Sequence, residues 1–106
     1  MPMATLLDEA GIQQSLEKVP GWERMGNEIK KKFKLKNFVT ALQFVNKVGE
    51  LAESMDHHPD ILVYGYKFVT LTLSTHSAGG LTRMDFDLAQ KIEKMWKEFQ
   101  LLTGGS

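Results

Sequence analysis

Cysteine is absent from the 106-residue chain. Without a thiol, disulfide staples, thiolate nucleophiles and Cys-based zinc or iron–sulfur sites are excluded. Charge of one sign is missing as well: thirteen Lys and Arg balance thirteen Asp and Glu, for a formal net charge of zero with His neutral. Such a chain has no strongly basic field for gripping nucleic acid or anionic lipid. Long apolar runs are lacking, since none approaches the ~20 residues needed to span a bilayer. The first residues do not form the basic-then-apolar pattern of a secretory signal, so a reduced, cytoplasmic compartment is the default expectation.

What is present is ordinary globular composition, 42% hydrophobic and 25% charged. The length suits one domain, for which about 100–150 residues is typical. The domain is expected to occupy residues 1–102, with residues 1–5 frayed and 103–106 a flexible tail.

Along the chain, Asp8 to Lys18 reads as a short helix with Leu7, Ile12 and Leu16 on one stripe, stopped by Val19-Pro20-Gly21. Trp22 to Met25, Gly26-Asn27 and Glu28 to Lys36 read as a β-hairpin. Ile29, Phe33 and Leu35 share one strand parity, and Lys30, Lys32, Lys34 and Lys36 take the other. Asn37 caps a long helix whose Phe38, Ala41, Leu42, Val45, Val48, Ala52 and Met55 recur every three or four residues as a core stripe. Pro59 requires that helix to end by His58. Ile61 to Tyr64 and Lys67 to His76 form a second hairpin around Gly65, and Ser77-Ala78-Gly79-Gly80 is a loop. Thr82 caps a last helix bearing Phe86, Ala89, Ile92, Trp96 and Phe99 on one face. Leu88, Met95 and Leu102 make a second seam at heptad spacing. The order α-ββ-α-ββ-α predicts an α+β two-layer sandwich, a four-stranded antiparallel sheet with three helices packed on one face. The other sheet face, with Thr70, Thr72, Ser74 and His76 on its polar parity, is left partly open.

The chemistry-bearing residues gather at element ends. His57 and His58 close the long helix and His76 closes the strongest strand, where scaffolds commonly present functional groups. Glu53 lies four residues before His57, one helical turn away, and could hold one imidazole nitrogen and set its tautomer. The bland alternative is an exposed i,i+4 pair. A zinc site of three histidines is a sharper rival, but consecutive residues on a helix point about 100° apart. Asp85 sits where Thr82-Arg83-Met84-Asp85 forms a near capping box. The lysines at 30, 31, 32, 34 and 36 read as a solvated or edge face that resists strand pairing. Gly79-Gly80 is too little for a phosphate loop. From the residues alone, a histidine-based acid–base site follows, without a substrate.

Glu53-Ser54-Met55-Asp56-His57-His58-Pro59-Asp60, Leu73-Ser74-Thr75-His76 and Gly79-Gly80-Leu81-Thr82 with Asp85 resemble the pterin-4a-carbinolamine dehydratases. The resemblance runs from about Leu6 to Phe99 and includes Gly21-Trp22 and the Phe33 to Phe38 segment. It implies dehydration of a 4a-hydroxytetrahydropterin to quinonoid dihydropterin, as in tetrahydrobiopterin recycling, with no metal and no organic cofactor. It further implies that His57 and His76 transfer protons and Glu53 supports them. His58 would hold the pterin, with Asp56, Pro59, Thr75 and Asp85 around it. Ile61 stands where many members carry an aromatic residue, leaving Tyr64 or Tyr66 as alternative ring surfaces. The implied partner is the small-molecule pterin, with no nucleic acid bound directly and no membrane. A homodimer or homotetramer is expected from the open sheet face, an exposed strand edge and the second seam of the last helix. Relatives of this shape also serve as dimerisation, coactivator or assembly modules, the alternative function to be weighed.

Overall fold

The computed structural model describes residues 5–104. Helix α1 spans Glu9–Leu16, with the Asp8 carboxylate accepting from the Gly11 N–H. Strands β1 (Glu23–Met25) and β2 (Glu28–Lys34) follow, then helix α2 (Phe38–Met55), strands β3 (Asp60–Tyr64) and β4 (Phe68–Leu73), a one-turn 3₁₀ helix at His76–Ala78, and helix α3 (Arg83–Leu102). The expected element order is the observed one. The four strands form one antiparallel sheet in the order β1-β2-β4-β3. Expectations for residues 1–4 and 105–106 lie outside the described residues.

Strand parity sorts the sheet into two faces. Ile29, Phe33, Val69, Leu71 and Leu73 are buried under the helices. The opposite parity carries Lys30 against Thr72, Lys32 against Thr70 and Lys34 against Phe68. On the covered side, Phe33, Phe44 and Trp96 interlock with ring centroids 4.9–5.1 Å apart, joining β2, α2 and α3. Aromatic contacts of this kind add to area burial in fixing how layers seat.

Several sequence expectations need correction. The lysine-rich strand is not an edge, because β2 lies between β1 and β4. Lys31 shares parity with Ile29 and Phe33 and turns inward, where its Nζ meets Glu93 Oε2 at 2.8 Å. Trp22 Nε1–H donates to the same oxygen at 2.9 Å. Gly21 makes room for this lysine: a Cβ there would lie 3.2 Å from the Lys31 Cε and Nζ, and its φ of +94° suits glycine. The core line of α2 runs through Ala41, Phe44, Val48 and Ala52, whereas Phe38 and Leu42 are exposed. Phe38 is the first helical residue, and Leu42 is one step off the core line. The proposed second seam of α3 is not a free surface. Leu88 is fully buried, Met95 packs against the core, and of the three Leu102 alone is exposed.

Strand β4 also stops earlier than periodicity suggests. Leu73 pairs with Ile29 at the start of β2, and beyond it the β1–β2 turn leaves no partner strand. Ser74 Oγ instead donates to the Asn27 carbonyl at 2.8 Å. His76 therefore sits in a 3₁₀ turn and not on the strand.

Candidate active site

The end of α2, the start of β3, the end of β4 and the start of α3 meet at one edge of the molecule, because Thr75 and His57 both bond Asp85. Helix α2 finishes with Asp56 in the left-handed conformation, φ +51°. The Asp56 and His57 N–H groups donate back to the Glu53 and Ala52 carbonyls. This pattern caps the helix and swings the next residue off its surface path. His57 consequently turns inward while His58 stays outside.

His57 is buried, and its Nε2 lies 2.6 Å from Asp85 Oδ1. Asp85 is wholly buried and is saturated on its other oxygen. Oδ2 accepts from the Thr75 hydroxyl at 2.8 Å and from the Thr82 N–H at 2.9 Å. The Thr75 hydroxyl, having donated to Asp85, accepts from the Thr82 hydroxyl at 2.8 Å, and the Thr82 hydroxyl in turn accepts from the Met84 N–H. A buried carboxylate is costly unless donors surround it. Here two donors at a helix N-terminus occupy Oδ2, and Oδ1 is left to accept from the His57 Nε2–H. Among the described residues no buried side-chain nitrogen or oxygen lacks a hydrogen bond. The other His57 nitrogen, Nδ1, has no partner among the described residues and is therefore the atom that reaches the surface. The arrangement is an imidazole with one nitrogen facing outward and the other held from behind by a carboxylate, the orientation a proton-transferring group needs.

The expected link between Glu53 and His57 is not formed. Glu53 Oε2 instead lies 2.6 Å from His58 Nε2, an exposed pair five residues apart. The i,i+4 relation fails because the helix ends at Met55, before His57 is reached.

His76 is presented by a small closed loop. Thr75 and Gly80 exchange backbone bonds, Thr75 N–H to Gly80 O at 2.9 Å and Gly80 N–H to Thr75 O at 3.3 Å. The imidazole is exposed and lines an open cleft of 370 Å³. Thr75 carries both functions of this loop, joining the Asp85 network through its side chain and holding His76 as its neighbour. Asp56 is exposed just before the histidines, and Pro59 is half-buried between them and β3. Ile61 pairs with Leu71 on β4, and Tyr64 stacks on Phe68 at 5.5 Å between centroids. Among the described residues, no three His, Asp or Glu side chains are grouped as metal ligands.

Sequence reasoning missed Thr82 as a member of the site. Its capping-box signal was visible, but the same hydroxyl also buttresses Thr75. It likewise missed the Ser74–Asn27 tie.

Residues 5–95 match the family described as Pterin 4 alpha carbinolamine dehydratase. The chain belongs to that family. A relative from Roseiflexus castenholzii, provisionally named a pterin-4-alpha-carbinolamine dehydratase, is 53% identical over 93 residues, covering 88% of this chain and 99% of its own length. One of the same provisional name from Picosynechococcus sp. is 50% identical over 93 residues, covering 88% of this chain and all of its own. Among solved structures, a transcriptional coactivator/pterin dehydratase from Brucella melitensis superposes with a TM-score of 0.78 at 34% identity, covering 83% of this chain and 95% of that one. A pterin dehydratase-like protein identified as a RuBisCO assembly factor in the alpha-carboxysome shares the fold at a TM-score of 0.59 and 21% identity, covering 84% and 96%. No helix among the described residues is long and apolar enough to cross a membrane.

Proposed function

We propose that this chain is a hydro-lyase that removes water from a 4a-hydroxytetrahydropterin, without a metal or organic cofactor. The observation that carries the proposal is the buried His57–Asp85 pair at 2.6 Å, which leaves Nδ1 as an outward base. In the reaction the C4a–O bond breaks and the leaving oxygen takes a proton. N5 loses its proton, and its electron pair forms the N5=C4a bond of quinonoid dihydropterin. Atoms balance as one water released. His57 and His76 each move one of these protons, and positioned acid–base groups supply about 10²–10⁴-fold. The protein regains its starting protonation if the proton taken from N5 returns to the histidine that served the leaving oxygen.

His58 holds the pterin, with Glu53 fixing its ring as a positioning residue. Asp56, Pro59 and Thr75 complete the surroundings, and Asp85 acts through His57. The catalytic unit is the domain of residues 1–102, working in the cytoplasm as a homodimer or homotetramer. Phe38, Val39 and Leu42, exposed together on the first turns of α2, give such an assembly apolar surface to cover.

The deciding experiment is rapid mixing with chemically generated 4a-hydroxytetrahydropterin while quinonoid product is followed by absorbance. Turnover well above the uncatalysed rate is expected. A rate equal to the uncatalysed one would leave an interaction role as the better account, of which the coactivator form is motivated by the Brucella melitensis relative's name.

A further inference from the structure

The cleft beside His76 holds a charged group that neither the fold nor the proton relay uses. It is lined by Met25, Asn27, Glu28, Ser74, His76 and Gly79. Glu28 opens β2 and is half-buried, yet its carboxylate makes no hydrogen bond or ion pair among the described residues. A carboxylate held in a concavity with nothing to accept from is an open acceptor.

The walls of the cleft are fixed to each other. Gly26 takes φ +62° and brings β1 back onto β2, with Met25 paired to Glu28. Ser74 Oγ donates to the Asn27 carbonyl at 2.8 Å, so the hairpin tip is tied to the segment leading into His76. Glu28 and His76 therefore face one space through a short, bonded frame, which is how specificity groups are held to a geometry.

We infer that Glu28 is a specificity-determining residue, whose carboxylate accepts from the 2-amino group and N3–H of the pterin pyrimidine ring. The inference rests on the pterin dehydratase proposal above. C2 lies directly across the six-membered ring from C4a, so a pterin with C4a at the histidines projects its amino edge beyond them. That edge offers two parallel N–H donors, the pattern that carboxylates match bidentately in guanidinium pairs. Glu28 supplies the two matching acceptors, and the 370 Å³ cleft has room for the pyrimidine ring. The side chain at C6 then points away from this cleft.

The test compares wild type with Glu28→Gln and Glu28→Ala in binding a 7,8-dihydropterin and its 2-dimethylamino counterpart, by fluorescence titration. Because Glu28 makes no contact that the fold needs, thermal unfolding of both variants should match wild type. Loss of a charge-assisted bond should weaken binding of the 2-amino compound about tenfold or more. The 2-dimethylamino compound keeps N3–H but lacks the exocyclic donor, so the same substitutions should weaken its binding less than that of the 2-amino compound. Equal affinity of wild type and Glu28→Gln for the 2-amino compound would overturn the assignment, as would equal weakening for both compounds. Binding is read separately from turnover. A wild type that discriminates the two ligands through Glu28 but does not dehydrate substrate would uphold this inference and refute the catalytic one.

Discussion

His57 and Asp85 are 28 positions apart in the chain, yet the imidazole Nε2 and the carboxylate Oδ1 are 2.6 Å apart in the interior. The pair joins the end of α2 to the start of α3. It also decides which imidazole nitrogen is left for chemistry.

Replacing Asp85 by Asn should therefore act on the reaction through His57. The amide no longer stabilises a positive imidazole, and hydrogen bonds to charged groups are worth about 1.5–3 kcal/mol. A fall in kcat of about tenfold to a hundredfold is expected with the pH–rate profile displaced. Stopped-flow dehydration across pH measures both. A lower kcat with an unchanged profile would mean that Asp85 is structural alone.

Thr75→Val should damage the same network from the other side. It leaves an Asp85 oxygen without one of its two donors and the Thr82 hydroxyl without an acceptor, both buried. The expected cost is about 1–3 kcal/mol. At ~4–8 °C per kcal/mol for a chain of this size, the thermal midpoint should drop by several degrees or more. Calorimetry is the direct check, and Thr75→Ser should recover most of the loss.

Glu53 and His58 should behave as one unit in kinetics. In a double-mutant cycle on KM, the effects of Glu53→Gln and His58→Ala should be non-additive, because the two side chains touch. Glu53→Gln and His57→Ala should combine additively. The reverse outcome would restore the helical-spacing pairing.

The exposed ion pair between Arg24 and Glu9 offers a pH test of the fold's stability. The hydrogen bond from Arg24, with its charge, holds the Glu9 carboxyl below its ordinary value, and Glu9 raises Arg24. A lowered carboxylate stabilises the folded state above the ordinary carboxylate range and loses that contribution as pH falls through its folded value. Glu9→Gln should thus be slightly less stable than wild type at neutral pH, with the gap closing in acid. Urea unfolding at two pH values reads the difference, which solvent screening keeps small.

Much of the fold was legible because each element advertised its own period. Ile29, Phe33, Val69, Leu71 and Leu73 obey the two-residue alternation, and Ala41, Val48 and Ala52 the helical one. The sites that misled were those where a local rule met a distant partner. Lys31 carries a charge that argues outward and a parity that argues inward. The inward placement depends on Glu93, 62 positions later, and on the space left by Gly21. The three histidines were picked out by their place at element ends, but the partner of His57 was not. Spacing along a helix predicts neighbours only while the helix lasts, and the left-handed turn at Asp56 ends it one residue too soon. Strand lengths were overread for a similar reason. A run of β-formers says nothing about where its partner strand runs out.

The carboxylate of Asp85 closes the first turn of α3 through the Thr82 N–H and also anchors His57. Unwinding that turn, a local fluctuation open to any helix end, would therefore release the imidazole at the same moment. Competence for proton transfer and amide protection at Thr82 and Asp85 should then rise and fall together, so hydrogen exchange at these two amides would report the fraction of molecules ready to turn over.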